Sequence, residues 1–171
     1  VGNQSAYKNV GLLLQAAEQL RRRIPHLSVF LTWPPHDRAN RRPGVVCLGY
    51  LGDTELAEAL SLADVFVMPS LQETVGLPLL EAMSAGTPIA AADRPYAREV
   101  CGNAAAFFDP LKASDLANSM ELVLSDVELR ERLIAEGRRI SEARRLGKPY
   151  EHLVDELAQV AEGVRQKASP R

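Results

Sequence analysis

The apolar positions of this chain switch between two periods from one end to the other. Residues 27–32, 45–48, 64–68, 87–91 and 104–108 are apolar stretches of strand length, each followed within two residues by Gly, Pro or Asp. Between them the spacing turns helical. Leu13, Ala17, Leu20 and Ile24 share one face of a helix that Asn9 caps and Pro25 stops, with Arg21-Arg22-Arg23 in its last turn. Asp53 caps a brief helix to residue 62. Pro78 in a first turn and Gly86 just past the end bound another. Asp93 caps a short helix through Arg94-Pro95 that Gly102 ends. Residues 114–124 form a further helix, followed by one capped by the box Ser125-Asp126-Val127-Glu128. Leu153, Leu157, Val160 and Val164 lie on one face of a final helix, and Val1-Gly2 reads as the tail of a strand.

Strands alternating with helices over short links predict one α/β domain, a Rossmann-like, doubly wound parallel sheet with helices on both faces. Ligands of such folds bind at the carboxyl ends of the strands. The loops after Gly2 and after Met68 both fall at such ends.

Composition narrows the class without naming a chemistry. A length of 171 residues, 25% of them charged, suits a single domain with a sizeable core. A formal charge of −2 gives no electrostatic footprint for nucleic acid, so none is expected as partner. Cys47 and Cys101 fit neither a disulfide framework nor a zinc site, which predicts a reducing compartment. His26, His36 and His152 have no cysteine or carboxylate at ligand spacing, so no metal is expected. No apolar run is long enough to span a bilayer. There is no Gly-rich dinucleotide fingerprint, P-loop lysine or nucleophile elbow, which excludes those three enzyme classes. The opening Val1-Gly2-Asn3, without Met, reads as the start of a piece of something longer.

The chemistry concentrates in Ser70-Leu71-Gln72-Glu73-Thr74-Val75-Gly76-Leu77-Pro78-Leu79-Leu80-Glu81. Gly76 frees the backbone and Pro78 starts a helix, so the loop faces a helix N-terminus whose free amides and dipole attract an anion. Glu81 stands about 6 Å further along that helix, one turn in. Glu73 sits in the loop on the other side. Lys8, after the first-strand loop, brings a cation to a phosphate from the opposite direction.

With those residues in place, the stretch from Pro69 to Pro88, with seven residues between Glu73 and Glu81, closely resembles the signature of the group 1 retaining glycosyltransferases of the GT-B fold. The likeness extends to Val1-Gly2 with Lys8-Asn9, Leu48-Gly49-Tyr50-Leu51, Ala63-Asp64, Glu99-Val100-Cys101-Gly102-Asn103-Ala104-Ala105 and Phe108-Asp109-Pro110. It implies the C-terminal, donor-binding half of such an enzyme. Residues 1–148 would form the donor domain, and 149–171 a helix and tail crossing back to a missing N-terminal acceptor domain.

The same resemblance implies roles for single residues. Glu81 would accept from the ribose hydroxyls, and Glu73 with the amides of Thr74, Val75, Gly76 and Leu77 would hold the donor sugar and its phosphate. Lys8 would neutralise the departing diphosphate. Tyr50 and Leu51 would face the base, and Gly2 and Asn3 would line the diphosphate. Lys8 and Glu73 would be the catalytic pair, with retention attributed to same-face attack and to no protein nucleophile. Three departures stand out. Asn3 replaces the family's usual Arg and cannot supply its charge or its fork of donors. Glu-Thr-Val-Gly replaces the commoner Glu-Gly-Phe-Gly. Trp33-Pro34-Pro35 replaces a Gly-rich loop.

The implied function is transfer of a hexose from a nucleoside-diphosphate sugar to a glycan or lipid-linked acceptor, without metal or other cofactor. The implied setting is polysaccharide biosynthesis in the cytoplasm, with peripheral attachment at the inner membrane face through the missing domain. Self-association through the final helix is expected of the isolated piece. The alternative is a non-catalytic nucleotide-binding or assembly module of the same fold.

Overall fold

Ile89 to Ala92 is the strand on which the interior is built, because all four of its residues are buried. Side chains of a strand alternate between faces, so this one strand serves two cores. Ala90 and Ala92 face a cluster made with Leu13, Ala17 and Leu20, Leu116 and Met120, and Phe108. Ile89 and Ala91 face a second cluster with Leu60, Leu79, Met83, Val100 and Cys101. A run of small side chains in a doubly covered strand lets helices approach closely from both sides. The computed structural model describes residues 5–145, 159, 160, 162 and 163.

The elements follow in the order α1 (Val10–Arg21), β1 (Val29–Leu31), β2 (Val45–Cys47), α2 (Asp53–Leu62), β3 (Phe66–Met68), α3 (Leu77–Ala85), β4 (Ile89–Ala92), α4 (Pro95–Cys101), β5 (Ala105–Phe108), α5 (Ala113–Ser125) and α6 (Val127–Arg145). All strand pairs are parallel. Phe66 stands opposite Ile89, and Ile89 opposite Ala105. The ladder divides in two among the described residues: β1 pairs with β2, and β3, β4 and β5 pair in that order. Helices α1 and α5 cover one face, while α2, α3, α4 and α6 cover the other. Short one-turn pieces Ala6–Lys8 and Arg38–Arg41 complete the described elements. The strand tail at Val1-Gly2, nearly all of the final helix, and the domain boundary at residue 148 lie outside the described residues.

Several expected helix caps are made by other residues. Asn9 precedes α1 but in the left-handed region, φ 52°, and its side chain gives α1 no cap. Its amide instead donates to the Pro110 carbonyl at 2.9 Å. Asp93 grips Arg98 with both oxygens, at 2.7 and 2.8 Å, in place of capping α4. Gly52 precedes α2, and the Glu55 carboxylate reaches back to accept its N–H at 2.9 Å. Asp126 caps α6 by accepting the Leu129 N–H at 2.9 Å, while the Ser125 hydroxyl donates to Glu121 within α5. Helix α1 stops at Arg21, three residues before the expected end, in a tightened turn where Arg22 and Arg23 bond the third carbonyl back. Asp37 caps the Arg38–Arg41 turn by accepting from the Ala39 N–H at 2.8 Å.

Candidate functional site

The loop between β3 and α3 enters a helix whose first turn is set by two residues. Gly76 adopts φ 72°, and Pro78 follows in the first turn, where a missing N–H costs nothing. A side chain at Gly76 is disfavoured twice over. Its Cβ would lie 3.3 Å from Val100 Cγ2 and 3.4 Å from Leu79 Cδ1, in a backbone region that L-residues seldom adopt. Only the Leu79 N–H turns back, to the Gly76 carbonyl at 2.9 Å. Among the described residues no acceptor takes the N–H groups of Thr74, Val75, Gly76 and Leu77. Thr74 and Val75 are exposed, Leu77 half-buried and Gly76 buried, at the positive end of α3.

Lys8 and Glu73 are 65 positions apart in sequence, yet Lys8 Nζ donates to Glu73 Oε1 at 2.7 Å. Both side chains are largely buried, at 15% and 13% exposure. The turn that carries Lys8 is fastened to the loop, because the Leu71 N–H donates to the Tyr7 carbonyl at 2.7 Å. The ammonium also lies 5.5 Å from the centre of the Tyr7 ring. Ser70, at 1% exposure, is held from the other side: the Tyr96 hydroxyl of α4 donates to its carbonyl at 2.8 Å. Burial pushes the Tyr96 phenol well above its usual range, with the Glu73 carboxylate adding to the rise, so it remains a donor.

Glu81 is buried in α3, at 9% exposure. Its Oε2 has no hydrogen-bond partner among the described residues. Burial pushes its carboxyl above the usual carboxylate range, and the Asp53 carboxylate at the start of α2 adds to the rise.

Tyr50 stands 92% exposed in the loop after β2, with Leu51 partly covered beside it. That loop and the one after β1 lie side by side, for the Gly49 N–H donates to the Trp33 carbonyl at 2.8 Å. Of the residues singled out in sequence, Lys8 and Glu73 meet directly, and Thr74 to Leu77 border them. Tyr50 and Leu51 occupy a separate strand end. Gly2 and Asn3 lie outside the described residues. Tyr96 and Arg94 escaped the sequence reading. Arg94 follows β4, and its Nε is buried with no partner among the described residues. No described group of three or more His, Cys, Asp or Glu side chains is placed to hold a metal ion. No described helix is long and apolar enough to cross a membrane.

Comparison with known proteins gives a consistent answer. Residues 37–140 match the family model described as "Glycosyl transferases group 1", a span that contains Glu73 and Glu81. O-antigen chain mannosyltransferase B of Escherichia coli is 33% identical over 148 residues, covering 80% of this chain and 39% of that protein. Phosphatidyl-myo-inositol mannosyltransferase of Mycobacterium tuberculosis is 31% identical over 145 residues, covering 76% of this chain and 38% of its own length. The chain thus spans about two fifths of these relatives. Sucrose-phosphate synthase from Thermosynechococcus elongatus superimposes with a TM-score of 0.71 at 25% identity, covering 98% of this chain and 45% of that one.

Proposed function

The chain belongs to the group 1 glycosyl transferases, and from that premise we propose that it is the donor-binding half of a hexosyltransferase. The substrate is a nucleoside-diphosphate sugar, and the acceptor is a glycan or a lipid-linked saccharide. Two relatives named as mannosyltransferases support a hexose as the group moved. The observation that carries the reading is the 2.7 Å Lys8–Glu73 contact beside four unclaimed amides. It puts a cation and a carboxylate together at the loop that opens α3.

The reaction breaks the bond between the anomeric carbon and the diphosphate, and the electron pair leaves with the phosphate oxygen. Charge therefore grows negative on the diphosphate and positive on the sugar. The amides of Thr74, Val75, Gly76 and Leu77 are fixed donors for the first, each worth about 3 kcal/mol in a site closed to water. The Lys8 ammonium adds a full charge without metal. Glu73 sits where a carboxylate can accept from sugar hydroxyls and favour the positive carbon. The acceptor hydroxyl then attacks from the face the diphosphate leaves, and the departing phosphate oxygen takes its proton. The configuration is retained and no side chain is bonded to the sugar. Glu81, buried and with its Oε2 unpartnered among the described residues, is suited to accept from the two ribose hydroxyls, and exposed Tyr50 to meet the base.

In this proposal the acceptor half lies in a preceding segment, and closure of the two halves completes the site, so the chain alone turns over nothing. The enzyme works in the cytoplasm, reaching a lipid-linked acceptor at the inner membrane face through that other half. Residues 149–171 belong to the same crossing. The test is titration calorimetry of the chain with UDP, GDP and ADP. Heat with at least one, lost in Lys8→Met, is expected; silence with all three at high protein concentration removes the proposal.

A further inference from the structure

The two charges at the mouth of α3 are spent on each other in the free chain. Glu73 Oε1 takes the Lys8 ammonium at 2.7 Å, and both side chains are largely buried, at 15% and 13% exposure. Among the described residues no other cation pairs with Glu73, and no other carboxylate pairs with Lys8. The Glu73 Oε2 accepts no hydrogen bond from a described residue. The contact is held in place from both sides of the sequence gap. The Leu71 N–H fastens the loop to the Tyr7 carbonyl at 2.7 Å, and the Tyr96 hydroxyl holds the Ser70 carbonyl at 2.8 Å. Charges this close and this well covered are little screened by salt, so a ligand meets a site whose ammonium is already balanced.

That balance sorts the nucleotides the site can hold. A bare nucleoside diphosphate brings its negative charge to the α3 amides and finds the Glu73 carboxylate beside them, which repels it. A nucleotide sugar brings the same diphosphate with hydroxyl groups attached next to it. Those hydroxyls donate to Glu73 in charge-assisted hydrogen bonds, so the carboxylate that opposes the phosphate is met by the sugar. Lys8 still serves the phosphate, because an ammonium has three N–H donors and the pair uses one. We infer that the Lys8–Glu73 pair is a selector: Glu73 favours the sugar-bearing nucleotide and, once the sugar has been transferred, sets its charge against the nucleoside diphosphate and speeds its release. The inference rests on the donor reading above. It gives Glu73 a second task besides orienting the sugar, at product release, a step that limits turnover in many enzymes.

The experiment is titration calorimetry of the 171-residue chain with matched nucleotides: GDP and GDP-mannose, UDP and UDP-glucose, ADP and ADP-glucose. Glu73→Gln keeps the shape of the side chain and removes its charge. For the base that binds, the variant should hold the nucleoside diphosphate about tenfold more tightly than wild type does, which is a part of the repulsion between unit charges about 6 Å apart near a protein surface. The matching sugar nucleotide should gain nothing or bind more weakly, because its hydroxyls lose a charged acceptor. If Glu73→Gln fails to fold, wild type alone decides: the sugar nucleotide should bind about tenfold more tightly than the nucleoside diphosphate of the same base. A nucleoside diphosphate that binds the variant no better than wild type, an equal gain for both members of a pair, or a wild type that prefers the bare diphosphate overturns the selector and leaves the donor reading standing. Silence of wild type with every nucleotide removes the donor reading, and the selector with it.

Discussion

Replacing Glu81 with Gln should separate the stability of the fold from its capacity to hold a nucleotide. The Glu81 carboxyl is buried, its Oε2 has no partner among the described residues, and burial raises its proton affinity. In the unfolded chain the same group titrates near its ordinary value of 4.5. The folded chain therefore keeps the proton to higher pH than the unfolded chain does. Between the two midpoints the native state binds more protons, so stability falls as pH rises from 4.5 through the raised folded value. Below that window both states are protonated and the loss vanishes; above it the loss is complete. A buried polar group without a partner costs about 1–3 kcal/mol, and more when it is charged, so the extra cost of the charge is what a neutral isostere relieves. Gln keeps the shape and removes the charge, so Glu81→Gln should recover about 1–2 kcal/mol at neutral pH. For a chain of this size that raises the thermal midpoint by about 2–8 °C. At about pH 4 wild type and variant should melt together. The nucleotide tells the opposite story. A hydrogen bond to a charged acceptor contributes about 1.5–3 kcal/mol, so a nucleoside diphosphate should bind the variant about tenfold or more weakly. Scanning fluorimetry at both pH values, with and without ligand, reads all of this. A variant less stable than wild type at neutral pH but not at about pH 4 would refute the reasoning, because the ionised carboxylate would then be stabilising the fold.

Two further outcomes test the same picture. Gly76→Ala forces φ 72° on a residue with a Cβ and presses that atom against Val100 and Leu79. It should cost about 1–3 kcal/mol, read as a lowered urea midpoint; an unchanged midpoint would mean the loop relaxes freely. Cys101 is buried and burial lifts its thiol to about 12. Mass spectrometry after iodoacetamide at about pH 8 should find it alkylated only once denaturant is present; rapid labelling of the native chain would contradict its burial.

Much of the frame was readable because it depends on local rules. Pro78 and Gly86 bound α3 as expected, since one suits a first turn and the other, at φ 65°, ends the helix. Each of the five apolar stretches coincides with an observed strand for the same reason, though β4 runs one residue past the expected end, to Ala92. The caps were less readable. A short polar side chain near a helix start has several partners within reach, and the tertiary fold chooses among them. Asn9 was drawn to Pro110, 101 positions away, and Asp93 to Arg98. The pattern of period also carries no register between distant strands, so the division into β1–β2 and β3–β4–β5 could not be foreseen. At the site, spacing put Glu73 and Glu81 around one helix start. That Lys8 would reach Glu73, and that Tyr96 of α4 would hold the Ser70 carbonyl, needed the packed sheet.

Amide-resolved NMR of the chain titrated with a nucleoside diphosphate tests the anion site most directly. The account predicts that the N–H signals of Thr74, Val75, Gly76 and Leu77 move first and furthest, and that Lys8→Met suppresses the change. Binding that leaves those four signals still, while others shift, would contradict it.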